Sequence, residues 1–312
     1  VTSVAPVAGH AVSRALLADS GVDHELVRDV VRRTLDEDLA WGPDITTEAT
    51  IPAAAHGSAC VVAHADGTVA GLGVAAAVLE MLWASAGDGG EATSLEPLVA
   101  DGDRVGPGER LLRVSGPLRE MLTGERTLLN LVCQLSGVAT ETARWVDALR
   151  TDAAGPDRAQ VLVRDTRKTV PGLRVLQKYA VRCGGGVNHR MGLGDAALIK
   201  DNHVAAAGSI SAAYAAVREH DPSIAVEVEC DTLVQVTEAL QAGADLLLLD
   251  NMDAAELRAA VALSRPYAVK LEASGGLTLQ RASEVAGTGV DYVAVGALTH
   301  SAPALDLGLD LE

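Results

Sequence analysis

Positive charge gathers around a glycine-rich centre in the second half of the chain. Residues 165–203 hold Arg167, Lys168, Arg174, Lys178, Arg182, Arg190 and Lys200, with His189 and His203, around Gly184, Gly185, Gly186, Gly192 and Gly194, in a protein whose formal net charge is −17. Cations collected against the overall sign suit a pocket for a small molecule that bears several negative charges. A solvated basic face is the plain alternative. Two features weigh against it. Glycine lets a backbone approach a ligand closely, and Lys200 closes the apolar run Ala196-Ala197-Leu198-Ile199 instead of lying in a polar stretch.

These cations belong to a wider rhythm. Apolar, strand-like runs fall at 161–164, 197–199, 225–228, 245–249, 267–271 and 292–295, with helix-like segments at 209–219, 232–241, 254–263 and 278–286 between most of them. Alternation of this kind predicts a parallel sheet covered by helices, closed or nearly closed as a barrel, and six units leave it short of the usual eight. Chemistry in such barrels sits at the C-terminal strand ends. Those positions read Asp165-Thr166-Arg167-Lys168, Lys200-Asp201-Asn202, Glu229, Asp250-Asn251, Glu272 followed by Ser274-Gly275-Gly276, and Gly296-Ala297. The last two offer small residues with free backbone N–H groups ahead of helices, which suits a phosphate. Glu229 and Asp250 suit ribose hydroxyls or a Mg²⁺ ion held through oxygen; ion pairing with Lys200 or Lys270 is the structural alternative.

A chain of 312 residues, 48% of them apolar, is long enough for two domains or a barrel with additions. Its acidity excludes nucleic acid or an anionic membrane as the main partner, since both reward a basic footprint. Cys60, Cys133, Cys183 and Cys230 stand far apart, a pattern of reduced thiols in a cytoplasm that argues against zinc. The most apolar window, 69–87, is interrupted by Glu80 and reads as a buried helix, not a membrane span. No secretory signal is read in the first twenty residues, although the chain begins at Val1 and a removed presequence stays open.

Upstream of the rhythmic half, residues 1–22 read as a flexible arm. Asp23 offers a cap for a helix whose Leu26, Val27, Val30, Val31 and Leu35 recur at helical spacing. Residues 41–47 read as a turn leading into extended chain. Short β-like runs follow at 59–64, 68–71, 96–99 and 110–114. The hairpin at 98–114 resembles those of lipoyl-type carriers, but no lysine precedes Lys168, so a swinging-arm carrier is rejected in favour of a structural β layer. A helix at 118–135 places Arg126 on the stripe Leu122, Leu129, Cys133. Two kinds of partner are open to that guanidinium: a core carboxylate such as Glu125 or Glu141, or a ligand, including one across a subunit interface. Ser136-Gly137 is expected to break this helix before another at 140–150, and the polar stretch 151–157 reads as a boundary.

The 165–203 segment, with GERTLLNLVCQLSG at 124–137, EVEC at 227–230, LLLLDN at 246–251, EASGGL at 272–277 and YVAVGALTHSAPALDLGLD at 292–310, closely resembles the quinolinate phosphoribosyltransferases. The likeness runs from about Leu35 to the C-terminus, with divergence in the arm and at 84–92. It implies an N-terminal α/β sandwich domain at 23–136 and an incomplete α/β barrel with parallel strands at 137–299, the tail from about 300 to 312 returning to the first domain. It also implies at least a homodimer in which Arg126 of one subunit completes the partner's site. Carried onto matching positions, Arg126, Arg167, His189, Arg190 and Lys200 surround the two carboxylates of quinolinate. Lys168, Lys200, Glu229, Asp250, Ser274, Gly276, Gly296 and His300 face phosphoribosyl pyrophosphate and its Mg²⁺, with Glu229 and Asp250 toward the metal and Lys168, Lys200, Glu229 and Asp250 nearest the reacting atoms.

The reaction so implied is decarboxylating phosphoribosyl transfer in NAD biosynthesis, in the cytoplasm, with no nucleic acid or membrane partner. Rival readings are a phosphoribosyltransferase for another aromatic acid, a Schiff-base aldolase using Lys200 or Lys270, and a non-catalytic sensor of phosphometabolites.

Overall fold

A computed structural model of the chain describes residues 11–86, 93–150 and 160–312. In chain order the elements are α1 (Ala11–Leu17), α2 (His24–Leu39), α3 (Ile45–Thr50), β1 (His56–Ala63), β2 (Gly67–Thr68), α4 (Leu72–Ala86), β3 (Ser94–Pro97), β4 (Arg104–Val105), β5 (Arg110–Pro117) and α5 (Leu118–Leu149). They continue as β6 (Leu162–Arg164), α6 (Arg174–Cys183), β7 (Ala197–Ile199), α7 (Asp201–Ala207), α8 (Ile210–His220), β8 (Val226–Cys230), α9 (Leu233–Ala242), β9 (Leu246–Asp250), α10 (Ala254–Ser264), β10 (Lys270–Ser274), α11 (Ala282–Ala286), β11 (Tyr292–Ala294), α12 (Ala297–His300) and β12 (Leu307–Leu311). The chain divides into two compact units: Val1–Glu141 with Val170–Gly184 and Ser301–Glu312, and Thr142–Thr169 with Gly185–His300.

The first unit is built on an antiparallel sheet in the order β12-β1-β5-β3. Across its β3/β5 ladder Glu96 stands opposite Arg113, and the two form an ion pair at 2.6 Å. Helix α4 is apolar on every side, with Leu72, Val74, Val78 and Leu79 buried, so its polar ends need partners. Asp101 supplies one, accepting the N–H groups of Gly71 and Leu72 at 2.9 and 3.1 Å. The lone acid of this helix, Glu80, is also buried, and it accepts the N–H groups of Val12 and Ser13 at the start of α1. The expected loose arm is therefore helical from Ala11, with Val12, Ser13 and Leu17 buried. Its first ten residues, the divergent positions 87–92 and the expected boundary 151–157 lie outside the described residues.

Two expectations fail here for identifiable reasons. Helix α5 is continuous over 32 residues and does not break at Ser136-Gly137. Gly137 is present because a Cβ there would lie 2.1 Å from the Pro303 carbonyl oxygen, and the Ser136 hydroxyl bonds the N–H and carbonyl of Ala70. Both residues serve packing, not helix termination. Residues 45–50 form helix α3 where extended chain was expected. Asp44 caps it through the Thr47 N–H at 3.0 Å, and Arg119 satisfies the carbonyls of Glu48 and Ile51 at its far end, compensating for β-branched residues of modest helix preference.

In the second unit six strands run parallel in the order β6-β11-β10-β9-β8-β7. The chain steps from β7 to β11 through neighbouring positions, then β11 pairs with the earliest strand, β6. Between β6 and β7 the described residues form no ladder; Arg164 makes one bridge, to Val187. The barrel is incomplete at that seam. Hydrogen-bonded caps start the covering helices: Ser209 for α8, Thr232 with Gln235 for α9, Asp253 with Glu256 for α10.

The strands are less uniformly apolar than expected. Buried Val228, Cys230, Leu247, Leu249, Leu271, Ala273 and Val293 line one face, while ionisable residues recur on the other. The fifth run is displaced: Tyr267 is tied into a turn by Ser264, and pairing begins at Lys270, whose N–H meets Asp245. Among the described residues no helix is long and apolar enough to cross a membrane.

Candidate active site at the strand ends

Strand register brings the sequence-predicted residues together. Glu227 pairs with Leu198 and Leu246, Glu229 and Glu272 both with Leu248, Glu272 with Tyr292, and Arg164 with Ala294. Alternate residues of a strand share a face. Counting by twos therefore puts Lys200, Glu229, Asp231, Asp250, Ser274 and Gly296 on one face at the C-terminal ends, with Glu227 and Glu272 a step deeper.

Two cations of this unit, Arg167 and Arg190, stand side by side. Arg167 Nε is buried without a hydrogen-bond partner among the described residues. Burial, then the neighbouring Arg167 charge, hold the Arg190 guanidinium below its ordinary proton affinity. Its Nη1 donates to the Ala196 carbonyl at 2.9 Å. Asp195 accepts the N–H groups of Met191 and Gly192, so the loop bearing Arg190 is held along its length. Lys200 pairs with Glu229; its side chain keeps 45% exposure against 13% for the acid. The His203 ring accepts the Lys200 backbone N–H at 2.9 Å, opening helix α7.

Gly275 and Gly276 turn with φ of +83° and +58°, and a Cβ at Gly275 would stand 2.3 Å from Asn251 Oδ1. Asn251, itself at φ 55°, donates its N–H to the Ser274 carbonyl. The ends of β9 and β10 thus interlock through a turn open only to glycine. Contrary to expectation a 3-10 turn, Leu279–Arg281, intervenes before α11, so Gly276 does not directly precede an α-helix. Gly296 does precede α12, and its missing side chain leaves room between Lys168 Cδ and His300 Nε2, 3.1 and 3.4 Å from where a Cβ would lie. Thr299 Oγ1 donates to the Lys168 carbonyl at 2.7 Å, fixing the backbone of that exposed lysine.

His189 is nearly buried. Asp165, itself fully buried, accepts its backbone N–H and the Asn188 amide at 2.9 and 2.6 Å. Its Nε2 lies 2.7 Å from Glu227 Oε2 and 3.7 Å from Glu272 Oε1. Arg164 bonds the other Glu272 oxygen at 2.5 Å and stacks on Tyr292 at 4.7 Å. Burial, reinforced by Glu227 and opposed by Arg164, pushes the Glu272 carboxyl up to about 7.

Three residues here escaped sequence reasoning: Glu227, Asp231 and Glu272 in its deeper role. Asp231 offers a carboxylate oxygen within 4.8 Å of those of Glu229 and Asp250. The signal was available, since Glu227, Glu229 and Asp231 stand at the period of two that puts strand residues on one face. Conversely, the basic segment does not stay together. Arg174, Lys178 and Arg182 lie on α6 in the first unit, where Lys178 is fully buried and Arg182 reaches the Ser20 carbonyl. Arg126 also belongs to the first unit and is exposed, not set in a buried stripe.

Comparison with known proteins gives one consistent result. The profile for the quinolinate phosphoribosyl transferase C-terminal domain matches residues 138–310, and that for the N-terminal domain residues 44–136. A nicotinate-nucleotide pyrophosphorylase [carboxylating] of Mycobacterium leprae is 50% identical over 294 residues, 94% of this chain and 99% of the relative. A quinolinate phosphoribosyltransferase [decarboxylating] of Nicotiana glauca is 36% identical, covering 92% of this chain and 82% of its own. Among solved structures, the nicotinate-nucleotide pyrophosphorylase of Francisella tularensis aligns with a TM-score of 0.83 at 35% identity, over 94% of this chain and 98% of that one.

Proposed function

The chain belongs to the quinolinate phosphoribosyltransferase family, and from that premise we propose that it joins quinolinate to phosphoribosyl pyrophosphate with loss of CO₂, forming nicotinate mononucleotide and pyrophosphate for NAD biosynthesis. One observation carries this reading to the residues. Arg167 and Arg190 lie close enough to repel, and the buried Arg167 Nε has no hydrogen-bond partner among the described residues. Two adjacent guanidinium groups call for a ligand with more than one negative charge, and their planar forks match carboxylates bidentately. Lys200 adds a third cation from the same strand ends. Arg126 of a partner subunit would add a fourth, in keeping with its exposure on α5, and the working assembly is then at least a homodimer.

Phosphoribosyl pyrophosphate would lie along Ser274, Gly276, Gly296 and His300, with Lys168 toward its phosphates. Breaking the ribose C1–O bond puts positive charge on the sugar and negative charge on departing pyrophosphate. Lys168 and Lys200 stabilise the leaving group, and Lys200 can do so by exchanging its Glu229 partner for phosphate. Glu229 and Asp250 stand toward the sugar. Attack by the quinolinate nitrogen requires alignment more than a base. The alkylated ring then stabilises the electron pair left on C2 as CO₂ departs, and that carbon takes a proton from water, so the protein has mainly to hold the ring still.

A divalent cation fits the donor set. Glu229, Asp231 and Asp250 present oxygens close together, the ligand type a hard ion such as Mg²⁺ prefers, and when bound it would neutralise pyrophosphate charge. The cysteines suit a reducing cytoplasm. The reading is tested by release of labelled CO₂ from quinolinate that carries the label in its C2 carboxylate, with and without Mg²⁺. Release that requires phosphoribosyl pyrophosphate is expected; turnover of nicotinate in place of quinolinate, or tight binding without release, would overturn it.

A further inference from the structure

Behind Arg190 lies a buried polar group that takes no part in the reaction as derived above. It consists of Glu227, Glu272, Arg164 and the His189 ring. Glu227 and Glu272 keep 4% and 0% exposure, and each has an Oε1 buried without a hydrogen-bond partner among the described residues. Two acids on a barrel's inner face are costly where apolar side chains would fill the same space. Their arrangement around His189 gives a reason for them.

The His189 Nδ1 accepts the backbone N–H of Arg190 at 2.7 Å. A nitrogen that accepts cannot carry a proton, so the ring proton sits on Nε2. That position faces Glu227 Oε2 at 2.7 Å, with Glu272 Oε1 beyond at 3.7 Å. A metal ion among these three side chains is excluded by the same bond: coordination through Nε2 would force the proton onto Nδ1, against the Arg190 N–H. A cationic ring directed at substrate is excluded likewise, because it too needs a proton on Nδ1. Arg164 anchors Glu272 from the opposite side at 2.5 Å.

Resting on the quinolinate reading, we propose that Glu227 is a positioning residue: by accepting the His189 proton on Nε2 it leaves Nδ1 to fix the Arg190 backbone, and so aims the Arg190 guanidinium at the substrate carboxylates, with Glu272 and Arg164 packed behind it. His189, which the family resemblance sets among the groups touching quinolinate, is then a strut behind Arg190.

Two measurements test this. In the wild-type protein, nitrogen-15 spectra of histidine, with the His189 signal identified by its loss in His189→Asn, should show a neutral ring protonated at Nε2. A cationic or Nδ1-protonated ring overturns the proposal. In steady-state kinetics, Glu227→Leu should raise the KM for quinolinate about 10- to 100-fold, the range for losing a hydrogen bond to a charged group, with the KM for phosphoribosyl pyrophosphate within about twofold of wild type. Glu227→Gln should recover most of the loss, because its carbonyl oxygen still accepts the Nε2 proton. An unchanged quinolinate KM in Glu227→Leu, an equal rise in both KM values, or a Gln variant no better than Leu overturns it. Should the Leu variant not fold, the wild-type tautomer decides. Wild-type protein that releases no CO₂ from quinolinate refutes the activity itself, whereas an Nδ1–H ring in a protein that does turn quinolinate over refutes this inference alone.

Discussion

Replacing Glu272 by Gln should change how stability depends on pH, and both direction and size follow from its surroundings. The carboxyl is fully buried on the inner face of β10, beside Glu227, and its pKa is raised from 4.5 to about 7. Burial and the neighbouring acid both disfavour its ionised form; Arg164 only partly offsets them. The folded protein therefore binds this proton more tightly than the unfolded chain does. That contribution to stability is fully present below the unfolded value of 4.5 and is lost as pH rises through about 7. At ~1.36 kcal/mol for each pKa unit, the loss amounts to about 3 kcal/mol. Gln does not titrate, and its oxygen can still accept from Arg164. Groups remote from Glu272 titrate alike in both proteins and cancel in the comparison. Glu227 is coupled to the same proton, so the measured midpoint belongs to the pair. Urea unfolding followed by tryptophan fluorescence, at closely spaced pH values from about 4 to about 8, should show the wild type losing about 3 kcal/mol relative to Glu272→Gln. A difference that stays flat, or grows in favour of the wild type as pH rises, would refute the claim that this acid is held protonated by its burial.

Two further predictions concern the first unit and the shared site. Gly137→Ala should destabilise the protein by about 1–3 kcal/mol, the usual cost of overpacking, because the new Cβ would stand 2.1 Å from a backbone oxygen that has no rotamer to escape into; unfolding curves that superimpose on wild type would show that the 303–304 backbone gives way freely. Arg126→Ala and Lys200→Ala should each cut kcat/KM for quinolinate at least about 100-fold, the scale of a removed charged or oxyanion-type contact. After subunit exchange in an equal mixture they should recover about a quarter of wild-type activity, since half the dimers then hold one intact site; no recovery would place Arg126 outside the partner's site.

The fold was legible where periodicity met caps. Asp23 and the spacing of Leu26 to Leu35 define α2, and the later strand and helix runs yield the parallel sheet. What stayed hidden depends on partners remote in sequence. Nothing around Ser136-Gly137 announces that Pro303 lies against the helix, and Asp44 caps a helix whose far end is completed by Arg119, 71 residues beyond Glu48. The same holds for the basic segment. Charge density along the chain marked residues 165–203, but strand ends, not adjacency, decide which cations share a face. Arg167, Arg190 and Lys200 stay in the barrel unit while α6 takes Arg174, Lys178 and Arg182 into the other.

Strand β8 explains how an acidic protein can present cations to an anionic substrate without losing them to its own carboxylates. Glu227 and Glu229 share one of its faces, and Asp231 follows directly after the strand. Glu227 is turned to the His189 ring, Glu229 to Lys200, and Asp231 stands with Asp250 at the exposed rim. The deepest acid meets a ring, the middle one a lysine, and the outermost groups its oxygens with those of its neighbours. Arg167 and Arg190 stand outside this series, with Glu227 and Asp195 near enough to favour the Arg190 charge in part. The two arginines remain beside each other, and the Arg167 charge weakens the hold of Arg190 on its proton, a repulsion that a ligand with two carboxylates removes and a ligand with one relieves only in part.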